Sequence, residues 1–392
     1  MDYQQENNVW VIGHKNPDTD SICAAICYAN LKNRLQDGFH YIPKRAGSIN
    51  EETKYVLQHF GVEPPEYAED AGAQVKDIAF RRTAGVSGHI SLKKAWELMK
   101  TENVMTLAVT SASDKLEGLI ITGDIAESYM DVYDNHILSR ARTQYKNIVE
   151  TLNGTLLAGN EHAYFLRGKV VVATGSRDVI EECIESDDLV IVGDRDETHI
   201  CALEENASCM VVTGGTQVSA QVLEMANRRD CVVIITPYDT FTAARLINQS
   251  MPIKYFMKKE NFVTFDIDDY VDEVREVMSK KRHRDFPVLD DQRRYLGMVS
   301  RRNLLNMHKK KLILVDHNEK SQAIDGIEGA EILEIIDHHR LGDIETVSPI
   351  TFRNQPVGCT ATIINQMYEE NEIEVPREIA GLLCGAIISD TL

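Results

Sequence analysis

The chain has 392 residues, 43% of them hydrophobic and 26% charged, with only 10 prolines, which is the composition of folded domains and excludes a disordered or collagen-like chain. A length well above the roughly 100 to 200 residues of one domain predicts two to four domains. With 61 acidic against 42 basic residues the net charge is −19, which argues against genomic DNA or an anionic membrane as a partner but leaves room for a local basic pocket.

No apolar run approaches the roughly 18 residues that span a bilayer. The opening Met-Asp-Tyr-Gln-Gln-Glu-Asn-Asn lacks the basic flank and apolar core of a targeting signal, so a cytoplasmic protein is expected. The eight cysteines, Cys23, Cys27, Cys183, Cys201, Cys209, Cys231, Cys359 and Cys384, form no C-x-x-C pair. They are expected as buried free thiols.

In chain order, Val9-Trp10-Val11-Ile12 reads as a buried parallel strand, followed by a polar loop and an apolar, alanine-containing helix from Ile22 to Leu35. Glu51 to Phe60 reads as a second helix, broken by Gly61-Val62-Glu63-Pro64-Pro65, and a boundary is expected near residue 65. An internal repeat follows at an offset of 179 residues, matching Met99 to Met278, Val109 to Val288 and Gly118 to Gly297. Each copy reads as amphipathic helix, strand, strand and helix, placed at 66–128 and 251–308. Between them, residues 129–250 carry Leu189-Val190-Ile191-Val192, Met210-Val211-Val212 and Val232-Val233-Ile234-Ile235 with helical stretches interleaved, a separate α/β insert. Leu312 to Val315 and Ile332 to Ile336 then resume the strand character of residues 9–12. The expected fold is therefore α/β: a parallel-sheet domain split into 1–65 and 309–392, interrupted by an α+β repeat pair and an α/β domain.

Each strand of the split domain runs into acids or imidazoles: Gly13-His14-Lys15-Asn16-Pro17-Asp18-Thr19-Asp20-Ser21 after the first, Asp316-His317-Asn318-Glu319 after the second, Asp337-His338-His339 after the third. The carboxyl ends of parallel strands line one crevice, so these groups should converge. Any one of them could be a turn former, but convergence of so many hard ligands points to metal. The run Ile379 to Ile388 is apolar on all sides, as a buried helix would be, and ends in Ser389-Asp390-Thr391. Asp390 reads either as a helix-end residue or as a carboxylate awaiting a cation.

The segments G-H-K-N-P-D-T-D-S at 13–21, V-D-H-N-E at 315–319, D-H-H-R at 337–340, P-V-G-C-T-A-T at 356–362 and S-D-T at 389–391 resemble a family II inorganic pyrophosphatase of the DHH superfamily. The repeated modules resemble CBS domains. The insert, with Gly193-Asp194-Arg195 and Thr213-Gly214-Gly215, resembles the DRTGG domain of the regulated subfamily. The resemblance covers nearly the whole chain.

Position by position, the resemblance implies that His14 and Asp18 bind one metal ion, that Asp20, His338 and Asp390 bind a second, and that Asp316 bridges both. Four carboxylates balance two divalent ions if both histidines are neutral. Mixed imidazole and carboxylate ligation suits Mn(2+) or Co(2+), two per chain, better than Mg(2+), which would accompany the substrate. Two such ions can share a water and lower its pKa for in-line attack on phosphorus. His339 matches the family's catalytic histidine, which would donate to a phosphate oxygen or to the bridging oxygen as it leaves. Asp337, His317 and Asn318 are expected to support the ligands from behind.

The CBS resemblance implies an adenine-nucleotide site contacted by a Gly-h-h-[Ser/Thr]-x-x-Asp segment. The first copy, 118–124, retains Asp124 but has Ile121 at the hydroxyl position; the second, 297–303, retains Ser300 but ends in Asn303. Arg282, His283, Arg284, Arg301 and Arg302 form a basic cluster in an acidic chain, either a solvated face or a phosphate grip, with Arg282 and Arg301 matching phosphate-holding positions of the family. AMP, ADP and diadenosine polyphosphates are the implied effectors, and a homodimer through the regulatory region is expected. The expected reaction is hydrolysis of pyrophosphate to two phosphates. Its rivals are a DHH-type phosphodiesterase and a shortened, catalytically weak nucleotide sensor, because the substrate-closing C-terminal domain of the family has no counterpart after Asp390 and turnover is expected to suffer.

Overall fold

The computed structural model describes residues 7–130, 134–175, 177–307 and 309–391. The opening hexapeptide, part of the stretch in which no targeting signal is read, lies outside them, as do positions 131–133 and 176 of the 129–250 insert. The chain divides into two compact units. The first comprises residues 1–80, 265–284 and 300–392; the second comprises 81–264 and 285–299. The division thus passes through the second copy of the repeat.

The first unit is built on six parallel strands: β1 (Asn8–Ile12), β2 (His40–Arg45), β3 (Glu66–Tyr67), β4 (Lys311–Val315), β5 (Glu331–Asp337) and β6 (Thr351–Asn354), in the order β6-β5-β4-β1-β2-β3. The late strands do complete the sheet begun at residue 8. β2, β3 and β6 carry no apolar run: His40, Lys44, Arg45, Glu66 and Arg353 hide them from a hydrophobicity reading. β3 also lies beyond the break at residue 65.

On one face lies helix α1 (Thr19–Leu35), buried on nearly every side, packed against α2 (Glu51–Phe60), α3 (Thr360–Glu370) and α4 (Arg377–Thr391). α1 starts three residues earlier than its apolar run because Asp18 caps it, its carboxylate accepting from Ser21 N at 2.8 Å. α4 is not enclosed as its composition suggests. Ile379, Leu382, Leu383 and Ala386 are buried, whereas Cys384 and Ile388 are exposed, since a helix on the outer layer buries one stripe whatever its opposite face carries. Gly381 lets α4 approach α2, because a Cβ there would stand 2.3 Å from the ring of Phe60. A second core, around Ile12, Leu312, Leu314 and Ile324, fills the other face of the sheet.

In the second unit, helix Leu92–Thr101 precedes the antiparallel pair Thr106–Thr110 and Leu116–Ile121, which leads into helix Thr122–Met130. The strands Asp285–Leu289 and Tyr295–Ser300 of the second copy are neighbours in turn. The repeat is matched by a local two-fold pattern: Thr106 Oγ1 donates to Asp285 Oδ2 at 2.9 Å across an offset of 179 residues, and Lys115 bridges Arg294. Leu119 exchanges backbone bonds with Lys258 while Met298, its counterpart, exchanges them with Arg81. Each module's strand is therefore completed by the segment preceding the other. The last helix of the second copy is reduced to a 3-10 turn, Asn303–Asn306. The insert is a five-stranded sheet ordered Thr155–Ala158, Val232–Ile235, Cys209–Val212, Leu189–Val192, Val170–Val172, parallel except at its first strand.

Six of the eight cysteines are buried, but Cys183 and Cys384 are exposed, against the expectation for all eight. Each sits on the outward side of a surface helix, where a thiol is tolerated. No helix among the described residues is long and apolar enough to cross a membrane.

Candidate metal centre

Strand order reverses between β1 and β4, and at such a switch point the loops leaving adjacent strands part to open a crevice at the carboxyl edge. The loop after β1 folds over the start of α1: His14 N donates to Ser21 Oγ at 3.1 Å, and Gly13 is required because a Cβ would lie 1.9 Å from that same oxygen. This turn delivers His14, Asp18 and Asp20. β4 delivers Asp316, whose φ of 64° is left-handed backbone that a non-glycine residue adopts only when its surroundings insist; its N–H donates to Ile336 O at 2.9 Å. β5 ends at Asp337 and releases His338 and His339. Gly358 allows the end of α4 to close in, since a Cβ there would meet Thr391 Cγ2 at 2.5 Å.

Three overlapping groups result among the described residues, each with one atom per residue within 4.8 Å of the others: His14, Asp18 and Asp316; Asp20, His338 and Asp390; and Asp316, His338 and His339. His14 Nε2 lies 3.5 Å from Asp18 Oδ2 and 3.4 Å from Asp316 Oδ2; His338 Nε2 lies 3.4 Å from Asp316 Oδ1. All six expected ligands are thus gathered. His338 Nδ1 donates to Val357 O at 3.1 Å, which leaves Nε2 as the lone-pair side facing the carboxylates. Asp20, fully buried, accepts from the amides of Thr360 at 2.6 Å and Ala361 at 2.9 Å, the first two residues of α3. Thr360 Oγ1 donates to Asp316 Oδ1 at 3.0 Å.

The electrostatics record unneutralised negative charge. Burial works against a charged His14, yet the nearby carboxylates of Asp18 and Asp316 outweigh this and push its pKa up to about 10. The Asp316 carboxylate 3.4 Å from its Nε2 carries His338 up to about 9 despite its burial. Burial opposes the charge on Asp316, but His14 and His338 hold its carboxyl well below the usual range. Burial, then the Asp316 charge, push Asp20 up to about 8 against the pull of the two amides. Asp390 rises to about 6, through burial and then the charges of Asp18 and Asp316. Asp316 Oδ2 and His338 Nε2 are buried without a hydrogen-bond partner.

Asp337 has no exposed surface and every reason to be an orienting group: it accepts from His338 N at 2.8 Å, from His339 N at 3.2 Å, from His339 Nδ1 at 2.9 Å and from Asn318 Nδ2. Asn318 also ties Arg340 O and Gly342 N, pinning the loop that carries both histidines. His317 is buried, donates from Nδ1 to Val315 O at 3.0 Å, and burial depresses its pKa to about 4, so it is neutral.

The expected nucleotide residues are engaged within the chain. Asp124 accepts from Ile121 N at 2.8 Å and pairs with Lys258 at 3.5 Å. At the equivalent position Asn303 accepts from Ser300 N at 2.8 Å and Ser300 Oγ at 2.7 Å. Arg301 donates to His283 O at 2.8 Å and to the carbonyls of Met278 and Lys281, closing the end of helix Val271–Ser279. Arg282 is exposed. A feature that hydrophobic periodicity alone does not reveal is a cavity of about 630 Å³ in the second unit, walled by Leu92, Trp96, Ile125, Tyr129 and Met130 with Gln249. Its apolar members include i,i+4 pairs on two helices, Leu92 with Trp96 and Ile125 with Tyr129, and packing leaves the space they line.

Fold and cluster define the class, a protein that gathers carboxylates and imidazoles suited to divalent metal at the carboxyl edge of a parallel sheet. Two domain families match: the DRTGG domain over residues 147–250 and the CBS domain over 253–309. The cobalt-dependent inorganic pyrophosphatase of Clostridium perfringens is 44% identical over 384 residues, 98% of this chain and 70% of that one. The probable manganese-dependent inorganic pyrophosphatase of Thermotoga maritima is 38% identical over the same shares. The solved CBS and DRTGG domains of the regulatory region of Clostridium perfringens pyrophosphatase, complexed with the activator diadenosine tetraphosphate, match at TM-score 0.56 and 36% identity, covering 58% of this chain and 100% of that one. The chain belongs to the family II, manganese- or cobalt-dependent inorganic pyrophosphatases.

Proposed function

We propose that this chain hydrolyses pyrophosphate to two phosphates with two manganese or cobalt ions, one held by His14 and Asp18, the other by Asp20, His338 and Asp390, and Asp316 lending one oxygen to each. The observation that carries this reading is the pair of buried, unpartnered atoms, Asp316 Oδ2 and His338 Nε2. Leaving such a group unsatisfied costs about 1–3 kcal/mol or more when it is charged, and a cation in each of the two groups, one reached by Oδ2 and the other by Nε2, would remove that cost. When bound, the two ions neutralise phosphate charge and lower the pKa of a water molecule.

The chain's own residues do the rest. Asp337 fixes His339 through Nδ1, so its Nε2 is the nitrogen turned toward substrate, donating to a phosphate oxygen when the ring carries both protons, and the half-exposed ring is reachable from solvent. Asp20 is held by two amides. Magnesium enters with the substrate.

The metal-free chain resupplied with manganese should release phosphate from pyrophosphate and none from a dinucleotide; the reverse preference would favour the phosphodiesterase reading. Asp316→Asn should weaken both ions, and loss of only one would overturn the bridge.

Adenine nucleotides are proposed to act at the repeated modules, through Asp124, Ser300 and Asn303 at their strand-to-helix turns and Arg282 and Arg301 of the second copy. Trp96, Tyr129 and Met130, 43%, 48% and 68% exposed around the 630 Å³ cavity, support association of two chains through the regulatory region. Sedimentation of Tyr129→Asp tests this: a monomer is expected, and an unchanged dimer would refute the assignment.

A further inference from the structure

The N-terminus of α3 touches both halves of the proposed metal centre. Asp20, which belongs with His338 and Asp390, takes both its oxygens' bonds from the Thr360 and Ala361 amides. Asp316, the shared carboxylate, takes its one hydroxyl bond from Thr360 Oγ1 at 3.0 Å. Thr360 is itself wholly buried, and its Cys359 neighbour supplies no side-chain cap to the helix. A threonine at this position is therefore not spent on its own helix. Its amide and its hydroxyl serve two different carboxylates brought in from 340 and 44 residues away.

The consequence lies in how a carboxylate can bridge. Asp316 faces His14 with Oδ2 and His338 with Oδ1, each at 3.4 Å. Rotation about the bond to its carboxyl group would take both oxygens off their positions at once. Among the described contacts, the Thr360 hydroxyl is the neutral donor to that group, and it reaches Oδ1 alone, leaving Oδ2 open. We infer that Thr360 is a positioning residue that sets the plane of Asp316, so that one oxygen serves each ion and the two sites fill as a coupled pair. This rests on the two-ion reading of the centre. Substitutions in the hydrogen-bonding shell behind a metal ligand typically weaken metal binding roughly 10- to 100-fold.

The test is a titration of the metal-free full chain with Co(2+), followed by calorimetry and by the visible d–d spectrum, which reports ligand geometry independently of turnover. Thr360→Val removes only the hydroxyl and keeps the size and both amides. It should weaken both ions by about 10- to 100-fold and alter the spectrum of the saturated protein, whereas Thr360→Ser should restore the wild-type affinity and spectrum. Thr360→Ala removes the same hydroxyl and decides the matter if valine impairs folding. Wild-type affinity and spectrum in the hydroxyl-free variants, or a serine variant as weak as valine, would overturn the assignment. A wild-type chain that binds no cobalt, or whose titration ignores Asp316→Asn, would instead overturn the metal centre itself.

Discussion

Asp316 concentrates the chemistry of the molecule in one side chain: strained backbone, a buried charge and an oxygen without a donor. Without an ion, protons do the neutralising. His14, near 10, His338, near 9, and Asp20, near 8, all hold protons at pH 7. A cation needs these groups deprotonated, so binding must expel protons, and the sign follows: affinity rises with pH, about tenfold per pH unit for each proton displaced, until the pH passes the group's own pKa. Calorimetry of manganese binding at pH 7 in buffers of different ionisation heat should record proton release. Affinity that is flat between pH 6.5 and 8 would contradict this account.

Elements impose a second duty on the same residues. Asp18 is both a proposed ligand and the N-cap of α1, the most buried helix of its unit. Asparagine caps as well as aspartate, while alanine forfeits roughly 1 kcal/mol. Asp18→Asn should therefore leave the thermal stability of the metal-free chain nearly unchanged while weakening one ion, and Asp18→Ala should lose both. Equal stability for the two variants would mean that the cap contributes nothing. The approach of α4 to α2 is a similar case: Gly381→Ala should destabilise the first unit by about 1–3 kcal/mol through overpacking against Phe60, seen as a lower melting temperature.

Over the whole molecule, the repeat converts sequence periodicity into pairwise contacts. Thr106 and Asp285 occupy equivalent positions in the two copies and bond to each other, and Arg81 brings a partly buried guanidinium to 3.7 Å from the same carboxylate. Asp285→Ala leaves the buried Thr106 hydroxyl without its acceptor and Arg81 Nη2 without its counter-charge, at a cost of about 1–3 kcal/mol. Hydrogen exchange should quicken in strands Thr106–Thr110 and Asp285–Leu289 together; quickening in one alone would mean that the copies are not coupled through this pair.

The strands that carry the chemistry were legible because buried parallel strands are written as short apolar runs, and each ran directly into its Asp or His. The motif order likewise points to all six residues that the fold gathers. Composition could not reveal β2, β3 and β6, whose charged side chains disguise their pairing, nor the open face of α4, because apolarity does not say which side a neighbour covers. The fate of Asp124, Asn303 and Arg301 was equally hidden: a side chain suited to a ligand is equally suited to a backbone amide or carbonyl, and proximity chooses between them. Residue identity by itself determined which groups were able to bind metal and in which segments they lay. Only tertiary structure decided that Thr360, 340 residues beyond Asp20, would anchor them, because a hydrogen bond depends on distance and direction and neither is encoded by any local pattern.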